Sequence, residues 1–247
     1  GKLALARWRI AMSKNGAKAC NDAGLDCFYI PHGVETSIFN PGDKAAARER
    51  LKWPTDKWIV STVAMNKGNP SRKNFAEMLH AFAAFHKRHS DTFYWLQTDP
   101  GEGINDMVNL PELCRNLGLE IGKDIGFPNN YQNYLGFPHE YMADIYRASD
   151  VHMLVSAGEG FGIPTLEAQA CGCPVIVGGW TASEELCMAG RMVTREDAQA
   201  VYTPLAAYQF RPNVRAVELA LEGEYRKATP TDKAVERVKV EYDADAV

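Results

Sequence analysis

One short stretch, residues 156–177, combines glycines, a proline and two glutamates in the sequence SAGEGFGIPTLEAQACGCPVIV. Its glycines, Gly158, Gly160 and Gly162, precede a helix predicted over residues 163–170, and a proline is tolerated in the first turn of a helix. Glycine lets a ligand come close to the backbone, and the free N–H groups at a helix start attract anions. The stretch therefore predicts a phosphate-binding loop.

Glu159 lies in this loop and Glu167 in the helix that follows it. A carboxylate accepts two hydrogen bonds at once, so Glu167 suits a vicinal diol such as that of a ribose. Glu159 would accept hydrogen bonds from hydroxyl groups on the far side of the phosphates. The spacing predicts a sugar, a diphosphate and a ribose along one helix terminus, with neither carboxylate required as a nucleophile. The alternative is an ordinary strand–loop–helix turn whose acidic residues only complement the helix dipole.

Two adjacent cations, Arg72 and Lys73, stand before Asn74 at the start of another predicted helix. Positive charge is mildly unfavourable at a helix N-terminus because it opposes the helix dipole. An anion held between this basic pair and the glycine loop would remove the conflict. The alternative is a polar helix start with exposed cations.

An alternation of strands and helices must position these residues. The predicted strands cover residues 59–64, 93–97, 151–155 and 174–177, and the predicted helices cover residues 74–89, 110–117, 139–148 and 163–170. Such alternation implies βαβ crossovers, so the fold class is a doubly wound, Rossmann-like α/β domain with a parallel sheet over about residues 35–247. Ligands bind such folds beyond the carboxyl ends of the strands.

The composition excludes several classes of protein. With 46% hydrophobic and 23% charged residues, the 247-residue chain is too apolar to be disordered. A net charge of −4 gives no field that would attract nucleic acid, and no apolar run approaches the roughly 20 residues of a membrane span. The expected location is the cytoplasm.

Metal binding is not expected either. The six cysteines are scattered without metal-site spacing, and the one close pair, Cys171 and Cys173, is expected to pack as small hydrophobic residues. Asp243-Ala244-Asp245 is interpreted as a frayed polar end, and His86 and His89 as a solvated helix end.

The stretch described first also has the pattern E-G-F-G-x-P-x-x-E-A-x-A-x-G-x-P-V-I. This pattern resembles the donor-binding signature of the retaining family-4 glycosyltransferases (glycosyl transferases group 1), which have the GT-B architecture. Further segments resemble the same family. Residues 30–35 and 39–41 are similar to its interdomain segment, and residues 72–74 are similar to the basic pair that binds phosphate. Residues 135–137 are similar to its loop near the nucleobase, and residues 148–150 to the segment that leads into the signature strand.

The resemblance implies roles for the charged residues. Lys73 and Arg72 would bind the donor diphosphate and stabilise the negative charge that develops as it departs. Glu159 would hold hydroxyl groups of the donor sugar, and Glu167 would hold the ribose. Glu159, Lys73 and Arg72 are therefore the predicted catalytic residues.

The other predicted binding residues would line the donor. They are Gly160, Thr98, Phe137, which would border the nucleobase, and Phe161, Gly162 and Ile163. The backbone N–H groups of the last three would meet phosphate or sugar oxygens. Such enzymes resemble metal-independent catalysts, in which lysine, arginine and a helix terminus replace the cation. The resemblance thus implies no metal and no cofactor, with a nucleotide-diphosphate sugar as donor substrate.

One departure from the family concerns the segment after the first strand. Family members often have Gly-Arg there, and that arginine reaches phosphate, whereas this chain has Val63-Ala64-Met65-Asn66. Either Arg72 or Lys67 would substitute for it, or the activity would be weak.

The resemblance divides the chain into two parts. Residues 1–34 are interpreted as the remnant of an N-terminal acceptor domain with the interdomain segment, and residues 35–247 as the donor-binding domain. The missing N-terminal domain would bind the acceptor, which is a glycan, a lipid or another molecule that the sequence does not identify. Any peripheral contact with a membrane would be made through that missing part.

The implied activity is the transfer of a hexose from a nucleotide-diphosphate sugar to an acceptor, with retention of the anomeric configuration. Two alternatives stay open. One is a non-catalytic nucleotide-sugar-binding module that lacks an acceptor domain. The other is a different enzyme of the same architecture, either a nucleotide-sugar epimerase or a sugar phosphorylase. The phosphorylase would need a lysine site for a pyridoxal group, which the sequence does not nominate.

Overall fold

The computed structural model describes residues 5–68, 71–104, 106–204 and 207–247. Its strands are β1 Ile10–Ala11, β2 Phe28–Tyr29, β3 Trp58–Val63, β4 Thr92–Gln97, β5 Ile125–Gly126, β6 Val151–Leu154, β7 Val175–Gly178, β8 Gly190–Val193, β9 Ala198–Tyr202 and β10 Tyr208–Pro212. Its helices are α1 Lys14–Asp22, α2 Lys44–Leu51, α3 Phe75–His86, α4 Leu110–Leu117, α5 Asn130–Leu135, α6 His139–Ala148, α7 Ile163–Ala170, α8 Ala182–Leu186, α9 Val214–Glu224 and α10 Asp232–Glu241.

A six-stranded parallel sheet with the order β5-β4-β3-β6-β7-β8 forms the centre of the fold. The chain builds outward from β3 to β5, returns to place β6 beside β3, and then builds outward in the other direction. The strand order therefore reverses between β3 and β6, and the carboxyl ends of these two strands border the crevice where such folds bind ligands. The predicted doubly wound fold class is confirmed.

Helices cover both faces of the sheet because neighbouring strand residues point to opposite sides. Val60 packs into a core with Phe82 of α3 and Leu221 of α9, whereas the adjacent Ile59 packs against Ala47 of α2 and Ile145 of α6. A third cluster joins α7 to α10. The sheet is thus the middle of three layers, and its buried strands read as continuous apolar runs.

Three of the predicted helices have the observed bounds, namely α4, α6 and α7. The helix predicted from residue 74 begins one residue later, because Asn74 has φ 51° and caps α3 in the left-handed conformation. It also ends at His86 rather than at residue 89. The solvated helix end expected for His86 and His89 is wrong, since His89 pairs with Glu222 at 2.9 Å and the half-buried His86 lies 3.4 Å from Asp124.

The last residues of the chain are not frayed, which corrects the interpretation of Asp243-Ala244-Asp245. Thr36 donates a hydrogen bond to the Asp243 carboxylate, and the amide of Ala244 donates to the carbonyl of Val34 at 2.9 Å. The amide of Val34 in turn donates to the carbonyl of Tyr242 at 2.7 Å. This segment therefore joins the end of the chain to residues 34–36.

The structure also bears on the expectations for the cysteines and for membrane-spanning segments. Cys171 and Cys173 are buried and unpaired, in agreement with the packing role expected for them. No helix in the described ranges has the length and the apolar character that a bilayer crossing requires.

Candidate functional site

The candidate site lies where the strand order reverses. The loop that follows β6 meets the segment between β3 and α3, since the amide of Ala157 donates to the carbonyl of Arg72 at 2.8 Å. The glycine loop and the basic pair, which are far apart in the sequence, are therefore neighbours at the carboxyl ends of β3 and β6. Ligands of doubly wound folds bind at this kind of crevice.

The glycines of the loop serve two different needs. Gly162 caps α7 with φ 115° and ψ 53°, a conformation that side chains rarely adopt. Among the described residues, a Cβ atom at Gly158 would meet a methyl group at 3.6 Å, and one at Gly160 would meet the Met12 sulfur at 3.8 Å. Protein packing does not require glycine at these two positions, so the missing side chains leave open space beside the backbone for a ligand.

The basic pair and Glu159 form one ion cluster. The Lys73 ammonium contacts Glu159 Oε1, while the Arg72 guanidinium lies 3.3 Å from Glu159 Oε2 and also donates to the carbonyl of Gly158. The side chains of Glu159 and Lys73 are only 8% and 15% exposed, whereas that of Arg72 is 46% exposed. The three predicted catalytic residues are thus brought together, with the carboxylate occupying the position between the cations.

Burial and charge act against each other in this cluster. Burial raises the pKa of the Glu159 carboxyl, but Lys73 and Arg72 outweigh it and hold that pKa below its ordinary value. Burial lowers the pKa of the Lys73 ammonium, and Glu159 offsets only part of that effect. Glu159 is therefore ionised near neutral pH. Two cations and one carboxylate leave an excess of positive charge, which a bound anion would neutralise.

Glu159 is positioned by residues that the sequence analysis did not single out. The backbone amide of Glu159 donates to the Thr181 hydroxyl at 3.0 Å, and the adjacent Trp180 indole donates to the carbonyl of Ser156 at 2.8 Å. Both lie in the turn between β7 and α8, which the sequence left unassigned. No local sequence signal marks them, because the contact depends on β7 lying beside β6.

Asn74 fixes the basic pair from the other side. Its buried amide donates to the carbonyl of Val155 at 2.9 Å and to the carbonyl of Phe210 at 3.1 Å. Phe210 belongs to the hairpin of β9 and β10, and its amide donates to the carbonyl of Ala157 at 2.8 Å. One side chain thus ties the start of α3 to the glycine loop and to the hairpin. Asparagine tolerates the left-handed conformation at this cap, which is the signal that could have identified it.

Glu167 faces a different set of groups on α6. Its Oε2 accepts a hydrogen bond of 2.7 Å from the Tyr146 hydroxyl. Burial raises the pKa of Glu167, and this hydrogen bond and the nearby His139 offset only part of the increase. The carboxylate lies in the second turn of α7, as the sequence predicts, and one of its two oxygens is engaged by a phenol.

The remaining predicted residues lie before α6, after β4, within the loop itself and at the start of α7. Phe137 precedes α6, and its half-buried ring stacks on Tyr141 with centroids 4.4 Å apart. Thr98 follows β4 but is buried, and its hydroxyl accepts from the amide of Asn66 at 2.9 Å. The ring of Phe161 is buried in the core beside α7, which leaves only its backbone for a ligand. Gly160 and the partly exposed Ile163 lie on either side of the Gly162 turn.

The part of the chain that the structure describes bears on metal binding. Among the described residues, histidine, cysteine, aspartate and glutamate form no cluster of three or more that could hold a metal ion. The positive groups beside the loop are instead Lys73, Arg72 and the N-terminus of α7. A surface cavity of about 570 Å³ lies between β8 and α9, away from the loop.

Comparison with known proteins identifies a family. The family described as Glycosyl transferases group 1 matches residues 62–207, which is more than half of the chain. A D-inositol 3-phosphate glycosyltransferase of Acidothermus cellulolyticus is 31% identical over 190 residues, which cover 76% of this chain and 41% of that protein. The corresponding protein of Saccharomonospora viridis is 31% identical over 196 residues, covering 76% and 43%. The chain spans less than half the length of these curated relatives.

Solved structures share the fold. A sucrose-phosphate synthase from Thermosynechococcus elongatus has a TM-score of 0.68 at 23% identity, over 99% of this chain and 57% of that one. Anabaena Alr3699/HepE in complex with UDP and glucose has a TM-score of 0.66 at 19% identity, over 97% and 60%. The C-terminal domain of a glycosyl transferase group 1 family protein from Francisella tularensis has a TM-score of 0.61 at 21% identity, over 85% and 99%.

The resemblance carried by the glycine loop is therefore confirmed over most of the chain. The GT-B architecture expected from it agrees with the sheet order and with the folds of these solved structures. The chain belongs to the Glycosyl transferases group 1 family and has a Rossmann-like domain of the GT-B glycosyltransferases.

Proposed function

We propose that this chain supplies the donor-binding half of a retaining glycosyltransferase that moves a hexose from a nucleotide-diphosphate sugar to an acceptor. The observation that carries the proposal is the ion cluster of Lys73, Arg72 and Glu159 beside the glycine loop. Two cations beside a helix N-terminus suit a diphosphate, and the adjacent carboxylate suits sugar hydroxyls. Glu167, one helical turn further along, suits the ribose. The Anabaena protein with the same fold, solved with UDP and glucose, supports a donor of this class.

In the proposed reaction, the bond between the anomeric carbon and the phosphate oxygen breaks, and both of its electrons stay on that oxygen. Lys73, Arg72 and the N-terminus of α7 stabilise the charge that develops there, as positioned donors do in a water-excluded site. The acceptor hydroxyl bonds to the same face of the anomeric carbon and gives its proton to the departing phosphate oxygen. This path retains the configuration and uses no metal ion.

Calorimetric titration tests the donor site. The chain is titrated with UDP, GDP and ADP and with their hexose derivatives, in the presence of a chelator. We expect saturable binding of one nucleotide series, weakened about tenfold to a hundredfold in Lys73→Ala, because a hydrogen bond to a charged group is worth about 1.5–3 kcal/mol. Glu167→Ala is expected to weaken the nucleotides but not inorganic pyrophosphate.

Matched controls separate these effects from general changes of charge. Lys123→Ala and Glu112→Ala remove the same charges from exposed ion pairs on the protein surface. Both are expected to bind as the wild type does. If the chelator abolishes binding, the metal-independent part of the proposal is wrong, and if no nucleotide binds, the donor site is not functional in this chain.

The acceptor would be a glycan, a lipid or another hydroxyl compound held by a second domain, and the reaction would take place in the cytoplasm. Retention is tested by following the anomer of the first product with NMR. A product with the inverted configuration would refute the proposed path. Binding of the donor without any turnover in the full-length protein would favour the non-catalytic module.

A further inference from the structure

Glu159 is the counter-ion of the basic pair. Both of its oxygens are engaged, one by the Lys73 ammonium and the other by the Arg72 guanidinium at 3.3 Å. Its side chain is 8% exposed, so water contributes little to its solvation. A phosphate that binds these cations must therefore compete with a carboxylate that is already in place.

The competition differs between the two nucleotide species of the reaction. In a nucleotide sugar, the phosphate next to the sugar is esterified on both sides and carries one negative charge. In the free nucleoside diphosphate that remains after transfer, the terminal phosphate ionises a second time with a pKa of about 6, as other phosphate monoesters do. The extra charge would be located on the phosphate that lies nearest to the ion cluster.

We propose that Glu159 selects by charge, so that the site holds the intact nucleotide sugar and releases the free nucleoside diphosphate. The inference rests on the proposed function and extends it to product release. In the donor complex, the Glu159 carboxylate accepts hydrogen bonds from sugar hydroxyls, which offset its separation from the cations. After transfer those hydroxyls leave with the acceptor, and the carboxylate faces the additional phosphate charge directly.

The size of the effect follows from Coulomb's law. Two like charges at an assumed separation of about 6 Å, with an effective dielectric constant of about 20, correspond to roughly a hundredfold change in affinity. Salt and the exposed side of the site reduce this, since Arg72 is 46% exposed. We expect removal of the Glu159 charge to tighten the free diphosphate by about tenfold.

The experiment compares the wild type with Glu159→Gln, which keeps the size of the side chain and removes its charge. Titrations use inorganic pyrophosphate, the nucleoside diphosphate of the series that binds, and the matching nucleotide hexose. In Glu159→Gln we expect pyrophosphate and nucleoside diphosphate to bind about tenfold tighter, and the nucleotide hexose to bind no tighter than in the wild type. The ratio of the two nucleotide affinities is the quantity that Glu159 is inferred to set.

Two controls make the result specific to the ion cluster. Glu77→Gln removes the same charge from the first turn of α3, where the structure shows no ion pair with Lys73 or Arg72 among the described residues, and its affinities are expected to change less than twofold. In Glu159→Gln with Lys73→Ala, pyrophosphate should bind more weakly than in Glu159→Gln alone, because one of the two released cations is gone and only Arg72 remains. Glu159→Ala removes the same charge and gives the same comparison if the glutamine variant does not fold.

The inference and the proposed function fail in different ways. Unchanged or weaker pyrophosphate binding in Glu159→Gln, together with nucleotide binding by the wild type, would overturn the inference and leave the proposed function standing. Tighter pyrophosphate binding without binding of any nucleotide hexose would overturn the proposed function and leave only an anion site with a resident counter-ion. If no probe binds to any variant, both are overturned.

Discussion

Asn74 provides a direct test of how the site is assembled. Its amide donates to two buried carbonyls, those of Val155 at 2.9 Å and Phe210 at 3.1 Å, and its φ of 51° lies in the left-handed region. Asn74→Ala removes both hydrogen bonds and places a Cβ-bearing residue without a compensating side-chain contact in that conformation. Asn74→Gly removes the same hydrogen bonds but is free of the conformational penalty.

The magnitudes of the two losses can be worked out separately. A buried carbonyl left without its donor costs about 1–3 kcal/mol, so the loss of both hydrogen bonds costs about 2–6 kcal/mol. The left-handed conformation adds about 1–2 kcal/mol for alanine and almost nothing for glycine. We expect Asn74→Ala to lower the free energy of unfolding by about 3–8 kcal/mol, and Asn74→Gly by about 1–2 kcal/mol less.

Urea denaturation followed by circular dichroism measures both variants against the wild type. Asn116→Ala, an exposed substitution within α4, is the control and is expected to change the free energy of unfolding by less than about 0.5 kcal/mol. A loss below about 1 kcal/mol in Asn74→Ala would show that the amide does not hold the two carbonyls. A glycine variant that is no more stable than the alanine variant would refute the argument from φ.

Three further outcomes are expected. Tyr146→Phe removes the hydrogen bond that lowers the pKa of Glu167, so under the proposed ribose contact nucleotide binding should be lost at a higher pH than in the wild type, as measured by affinity between pH 5 and 8. Gly162→Ala places a side chain at φ 115° at a cost of about 1–3 kcal/mol and should weaken pyrophosphate binding, while Gly103→Ala, also at positive φ, should not. Burial lowers the pKa of His152 to about 3, so only the unfolded state gains a proton as pH falls below about 6.5. The free energy of unfolding should therefore fall by about 1.4 kcal/mol for each pH unit between about pH 6.5 and pH 3. In His152→Gln, the urea midpoint should depend less on pH over that range.

The fold could be predicted from the sequence where local patterns are strong. The helices α4, α6 and α7 were predicted with their observed bounds because each combines an apolar face with a clear start. The strand β5 and the hairpin of β9 and β10 were not predicted, since β5 has only two residues and the hairpin carries exposed tyrosines at Tyr202 and Tyr208. A short edge strand depends on its neighbour rather than on its own sequence.

Within the candidate site, too, local sequence predicts some features and tertiary neighbours determine the others. Glu159, Lys73 and Arg72 could be predicted because their residue types and the glycine loop carry the chemistry. Their pairing with one another could not, since Lys73 and Glu159 are far apart in the sequence and meet only because β3 lies beside β6. In the structure, Glu159 of the glycine loop lies between the two cations.

This pairing also determines how a loss of binding in Lys73→Ala has to be interpreted. Removal of one partner from a buried ion pair leaves the other charge without compensation, which costs about 3–5 kcal/mol. The half-exposed Arg72 retains part of the attraction, so we expect Lys73→Ala to lower the free energy of unfolding by about 2–4 kcal/mol. Glu159→Gln added to Lys73→Ala should restore about half of that loss, because the remaining group is then neutral. If urea unfolding shows Lys73→Ala as stable as the wild type, Glu159 is not held by that ammonium, and the counter-ion role proposed for it fails with the pairing.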